Sequence, residues 1–231
     1  MKKKLLTGLT TSMLMMVSVG IAQANIIDDT YGAGAGGFEL GNFVSGGGLT
    51  DAWGQDYMGL APGDTTITGW TVGGPGNGVD WLSTPNFAAD SGIHSVDLTH
   101  LSASSIFTVI PTIAGNLYSL SFSAATSNAP PIYPNYTGTG VVSAGSLVNQ
   151  AFVATLSVPT SAQTYTPYSF LFTATEATTT IKFTSTGLSN SYYGPVIDSV
   201  SVSAVPEPTT ILLFSAGLAW LADARRRSKK Q

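Results

Sequence analysis

Along the middle of the chain, apolar and polar residues alternate with a period of two. In "NLYSLSFSA", Tyr118, Leu120, Phe122 and Ala124 fall on one side and Ser119, Ser121 and Ser123 on the other. "YSFLFTA" places Tyr168, Phe170, Phe172 and Ala174 together, "TIKFTST" pairs Ile181 with Phe183, and "VIDSVSVSA" groups Val196, Val200 and Val202. "HSVDLT", "SIFTVI" and "QAFVATLSV" read as further strands. Side chains two apart share one face of a strand, so the pattern predicts half-buried β-strands. Gly-, Pro- and Asn-rich stretches such as "GGPGNG" and "NAPPIYPNYTGTG" separate them. Many short strands divided by turn signals predict an all-β fold, an antiparallel β-sandwich or jelly roll with wet outer faces.

Both ends break this pattern. Lys2, Lys3 and Lys4 precede an apolar run from Leu5 to Ile21, and Ala22-Gln23-Ala24 supplies an A-x-A cleavage site. Residues 1–24 therefore read as a signal peptide, a short helix that is removed, and export follows. At the other end, Pro206 and Pro208 stop any regular element, and Thr209 to Ala222 carries no formal charge. As a helix this run would reach about 21 Å at about 1.5 Å per residue, short of a bilayer core of about 30 Å. Length alone favours a buried or re-entrant helix. Arg225, Arg226 and Arg227, with Lys229 and Lys230, form a cytoplasmic stop signal that favours a short transmembrane helix instead. The expected divisions are 1–24, a sandwich at 25–204 and a tail at 205–231.

Charge sharpens the picture. Between Asn25 and Val205 eleven Asp and Glu face one Lys, a net of −10. Such a domain repels nucleic acid and anionic lipid, and tolerates or seeks cations. The chain has no cysteine, which excludes disulfides, thiolate metal sites and a cysteine nucleophile. "YGAGAGG" places Gly32, Gly34 and Gly37 in a G-x-G-x-x-G spacing, but without the strand and helix that a dinucleotide site needs. It is expected to be a flexible leader.

The tail's order of Val205-Pro206-Glu207-Pro208, short hydrophobic run and Arg cluster is similar to the PEP-CTERM sorting signal of Gram-negative bacteria. The resemblance implies an exosortase as processing partner, a transient inner-membrane intermediate, and delivery to the outer surface or an exopolysaccharide matrix. The alternative is a plain C-terminal anchor. In the middle, "GGFELGNF", "ITGWTVGGPGNGVDWL", "AADSGIHSVDLT", "AGNLYSLSFSAA" and "GPVIDSVSVSAVPEP" follow in order the pattern of DUF642-like, choice-of-anchor secreted proteins. That resemblance implies a galactose-binding-like β-sandwich associated with surface or matrix polysaccharide.

Candidate chemistry is sparse. Asp198 shares strand parity with Val196, Val200 and Val202, so its carboxylate is expected to face inward, where it needs a partner. Calcium is one partner. Galactose-binding-like sandwiches hold a structural calcium between an N-terminal Glu and a C-terminal-strand Asp, and Glu39 and Asp198 match those positions. Backbone amides at a sheet end are the alternative partner. Tyr133, Tyr136, Tyr192 and Tyr193 lie in loop-like stretches and are the candidate sugar-stacking residues, whereas Trp70 and Trp81 occupy strand-like positions that suit a core. His94 reads as a satisfied, half-buried histidine. No G-x-S-x-G elbow is present to seat a nucleophile. The expected function is a non-enzymatic, carbohydrate-binding surface or matrix protein. A purely structural matrix protein and a matrix glycoside hydrolase are the alternatives.

Overall fold

The computed structural model of the protein describes residues 24–46, 56–126, 137–155, 163–187, 194–206, 214–221 and 225. Two antiparallel sheets pack face to face. One runs β1 (Tyr57–Leu60), β3 (Val79–Ser83), β4 (His94–Asp97), β11 (Pro195–Ala204), β6 (Leu117–Thr126), β9 (Thr166–Thr173). The other runs β2 (Thr71–Gly73), β5 (Ser105–Pro111), β10 (Thr178–Ser185), β7 (Thr137–Ala144), β8 (Leu147–Thr155). The fold is the expected antiparallel β-sandwich.

The period-two alternation builds the core. Leu120, Phe122 and Ala124 of β6, Phe172 of β9, and Ile181 and Phe183 of β10 are buried in one cluster between the sheets. Phe122 meets Phe152 at 5.2 Å and Phe183 at 4.9 Å, both edge-on, and so joins the two sheets through aromatic contacts of favourable geometry. Trp70 and Trp81 are also core residues.

Two features depart from the expectation. The first is in β11. Its pairing with β6 shifts between Asp198 and Ser201, and Ser199 takes a positive φ of 53°. The bulge adds a residue and inverts the parity. Ile197, Val200 and Val202 enter the inter-sheet core, whereas Val196 joins Leu82 and Ala125 in a small second cluster. Asp198 therefore does not share a face with Val200 and Val202. It stands beside Ser123 and Val196, on the sheet's other side, and is still fully buried.

The second is the N-terminal segment, which is built into the fold rather than a flexible leader. Asn25 caps α1 (Ile26–Tyr31), its Oδ1 accepting from the Ile27 N–H at 3.2 Å. The same oxygen accepts from the Val202 N–H at 3.0 Å, and its Nδ2 donates to the Val200 carbonyl at 3.1 Å. The Val200 N–H donates to Gly36 O at 2.9 Å. The bulge in β11 is thus satisfied by the leader. A side chain at Gly36 would set its Cβ 2.1 Å from Val200 O, which explains a glycine there. Trp70 Nε1 donates to Ala35 O at 2.8 Å and Trp81 Nε1 to Phe38 O at 3.1 Å. Ile27, Ala35 and Phe38 are completely buried. Alternating glycines read as slack in the sequence, but here they allow tight turns against a strand.

After β11 the Val205 N–H still donates to Leu117 O at 2.9 Å, and Pro206 is exposed. Residues 214–221 are helical and exposed. Among the described residues no helix is long and apolar enough to cross a membrane. Most of the signal segment and part of the 209–222 run lie outside the described residues.

If the leader is structural, Ile27→Ala should cost about 2–5 kcal/mol as a buried large-to-small change. Denaturant unfolding reads this directly, and an unchanged midpoint would mean a dispensable leader.

Candidate functional site

Acidic side chains organise the loops of the six-stranded sheet. Asp198 Oδ2 accepts from the Asp90 N–H at 2.7 Å and the Ser91 N–H at 3.1 Å, and Oδ1 accepts from the Ser199 N–H at 2.5 Å. Glu39 Oε1 accepts from the Ile93 and His94 N–H groups, each at 2.9 Å. Ser199 Oγ donates to Asp90 Oδ2 at 2.8 Å. Glu39 and Asp198 thus hold successive stretches of one loop, 90–94, by its backbone amides.

Calcium needs six to eight oxygen ligands. Here three of the four carboxylate oxygens of Glu39 and Asp198 already receive amide donors. Among the described residues no group of three or more His, Asp or Glu side chains is arranged to hold a metal ion. Glu39 and Asp198 form an amide clamp on the 90–94 loop, the alternative partner for Asp198.

Burial pushes the Asp198 carboxyl up to about 7. The three amides pull it down and the Asp90 charge adds to the rise, so desolvation dominates. Tyr165 packs against the same small cluster, and its hydroxyl donates to Ala88 O at 2.9 Å. Burial raises its phenol above the ordinary value, the Ser95 hydroxyl opposes this, and the charges of Asp198, Asp90 and Asp97 add to it.

At the far end of these strands lies a second polar constellation. Asp80 of β3 and Asp97 of β4 are directly opposed in the ladder. His100 Nδ1 sits 2.6 Å from Asp80 Oδ1. Asp97 Oδ1 accepts from the Thr99 N–H at 2.9 Å, and Oδ2 accepts from the Gly194 N–H at 3.1 Å. Thr99 Oγ1 donates to Ser185 Oγ at 3.0 Å. Asp97 therefore fixes the chain where it enters β11. Pro195 faces Thr126 across the β11–β6 ladder, which sets the described residues flanking segments 127–136 and 188–193 side by side. Those segments carry Tyr133, Tyr136, Tyr192 and Tyr193, which lie outside the described residues.

Of the other expected site residues, Ala24 is exposed, Val205 is half-buried and Pro206 is exposed. Arg225 is described as helical, while Ala22, Glu207, Pro208, Arg226 and Arg227 are outside the described residues. His94 is buried with Nδ1 3.1 Å from Leu82 O, a satisfied histidine. Sequence reading missed the Asp80–His100 pair and the anchoring role of Asp97. The signal was present: in "GVDWL" Asp80 takes the parity opposite Val79 and Trp81, as Asp97 does against Val96 and Leu98.

Residues 38–203 match the family described as "Protein of unknown function (DUF642)". The chain belongs to this family. No curated protein matches the chain. Among solved structures, TmCBM61 in complex with β-1,4-galactotriose is 14% identical, covering 59% of this chain and 88% of that one at a TM-score of 0.39. CBM35 from Paenibacillus barcinonensis is 18% identical, covering 59% and 94% at 0.39. The adhesin domain of Lys-gingipain from Porphyromonas gingivalis is 16% identical, covering 60% and 92% at 0.42.

The buried Asp198 gives the DUF642 sandwich a defined pH response. Its folded value of about 7 exceeds the ordinary 3.8, so the folded state binds the proton more tightly. The associated stability is full below about 4 and is lost as pH rises through about 7. At about 1.4 kcal/mol per unit the effect is on the order of 4 kcal/mol at most. Unfolding at pH 5 and pH 8 should show the native protein more stable at pH 5, with a smaller difference in Asp198→Asn. Equal differences in the two proteins would contradict this.

Proposed function

We propose that this DUF642 protein is an exported bacterial surface or exopolysaccharide-matrix protein whose sandwich binds carbohydrate and whose tail is an exosortase sorting tag. The carbohydrate reading rests on one observation. Asp97 and the Pro195–Thr126 pairing bring the roots of both tyrosine-bearing segments together at one end of the six-stranded sheet. Aromatic faces stack on the apolar side of a pyranose, and carboxylates and amides take its hydroxyls. The net of −10 between Asn25 and Val205 argues against nucleic acid as the ligand. We read the domain as binding rather than catalytic: both oxygens of Asp97 are engaged by amides that shape the loop end.

The sorting reading draws support from the end of the fold. The last strand closes at Ala204, and the Pro-Glu-Pro motif follows within two residues, with Pro206 exposed. A processing enzyme would meet the motif directly beyond the sheet. The resemblance also implies calcium at Glu39 and Asp198, and a melting midpoint lowered by EDTA and restored by calcium would establish it.

A glycan array tests the binding reading. The protein should bind at least one polysaccharide, and Asp97→Asn should weaken binding about tenfold by releasing Gly194. A flat array would remove the reading; self-association without glycan binding would favour the structural alternative, and release of sugar the hydrolase. For the tail, mass spectrometry of the exported protein should show a start at Asn25 and loss of Arg225–Gln231. An intact C-terminus would defeat the sorting reading.

A further inference from the structure

A groove of about 220 Å³ opens beside α1, at the edge of the five-stranded sheet. It shares no residue with the loop end carrying Asp80, Asp97 and His100. Among the described residues, β2 pairs with only Ser105–Phe107 of β5 and no strand pairs with Thr108 onward on that side. Tyr31 stands at this edge. Its hydroxyl donates to Val109 O at 2.5 Å. Its ring lies against Gly69, where a Cβ would fall 2.6 Å from the ring, and Gly69 holds a φ of +84° that also favours glycine. The ring is therefore held at both ends before any ligand arrives, which lowers the ordering cost of binding.

The groove's lining is neutral and amphipathic. Tyr31 and Phe107 bring half-buried rings, Trp70 is buried beside them, and Thr65 and Thr71 bring hydroxyls. None of the lining residues is charged. Thr65 is exposed and Thr71 half-buried, on the same side as the half-buried Phe107, whereas Thr108 turns inward with Ile106 and Ile110. The space is smaller than the roughly 300–1,000 Å³ of drug-sized pockets, which suits a single ring rather than an oligomer.

We propose that this groove binds one neutral pyranose unit, stacked against Tyr31 and Phe107 and hydrogen-bonded by the hydroxyls of Thr65 and Thr71. Uronic acids are disfavoured, because no cationic group lines the groove and the surrounding domain is strongly acidic. The proposal rests on the carbohydrate reading for the class of ligand and on none of its residues. A sugar chain could then engage the protein at two separate places, a route to avidity without tight individual sites.

The test is a titration of the full-length chain with methyl β-D-galactopyranoside, methyl β-D-glucopyranoside and galacturonate, followed by saturation-transfer NMR. A neutral glycoside should bind saturably and galacturonate should not. Phe107→Ala should weaken binding about tenfold, the loss of one aromatic contact. Thr71→Val, which keeps the shape and removes a hydroxyl, should weaken it several-fold without changing the melting midpoint. Binding unaltered by both substitutions would overturn the groove, as would preference for galacturonate. Binding lost in Asp97→Asn but kept in Phe107→Ala would overturn the groove and leave the loop-end reading standing. No binding of either neutral glycoside would overturn the groove, while a positive glycan array would still support the loop end.

Discussion

In this domain, backbone N–H groups serve as the counter-charges. Eleven acids share the sandwich with one lysine, and there is no cysteine to staple the loops. Lys182 is exposed on β10, away from the buried carboxylates. Amide dipoles take its place. Asp28 receives the Gly36 N–H, Asp64 the Thr66 N–H, Glu39 those of Ile93 and His94, and Asp97 those of Thr99 and Gly194. Asp198 receives three. Charge-assisted bonds of this kind are stronger than neutral ones. The long-range ones tie distant segments together, Glu39 to Ile93 and His94, Asp97 to Gly194 and Asp198 to Asp90 and Ser91, the role that disulfides play in many exported domains.

The scheme has a cost at Asp198. Three amides do not offset the desolvation of a fully buried carboxylate, so its proton affinity rises. The bulge at Ser199 makes the arrangement possible. It turns Asp198 out of the inter-sheet core and under the 90–94 loop, and it exposes the Val200 peptide groups that the leader satisfies. Leader, bulge and loop are therefore one structural unit. Their joint dependence explains why a glycine-rich segment packs as tightly as a strand.

Period two made much of the fold legible. Tyr118, Leu120, Phe122, Ile181 and Phe183 take the burial that their alternation implies, and the strands of 117–126 and 178–185 follow from it. Parity failed where a backbone irregularity intervened: nothing in "VIDSVSV" marks the extra residue at Ser199, since serine is not a favoured positive-φ residue. The leader was misread because glycine supports both slack chain and tight turns. The indole donors of Trp70 and Trp81 chose between them, and such long-range pairing leaves no local trace. At the candidate site, Glu39 and Asp198 stand out in the sequence as a calcium pair, and the structure shows both accepting from amides of the 90–94 loop, which no local pattern announces. Asp97 and His100 became visible only when the ladder placed Asp80, Asp97 and Gly194 together.

The carboxylate–amide clamp can be measured without knowing any ligand. Residues 90–93 are solvent-exposed, and Ile93 retains half its surface. As an ordinary surface loop their amides would exchange with solvent at near-free rates. Native-state hydrogen exchange at pH 8, where Asp198 is ionised, on the wild-type chain and on Glu39→Gln, resolves the question residue by residue. Protection at Asp90, Ser91, Ile93 and His94 comparable to the strands, with selective loss at Ile93 and His94 in the variant, is the expected result. Free-loop exchange at these four amides in the wild type would contradict the clamp.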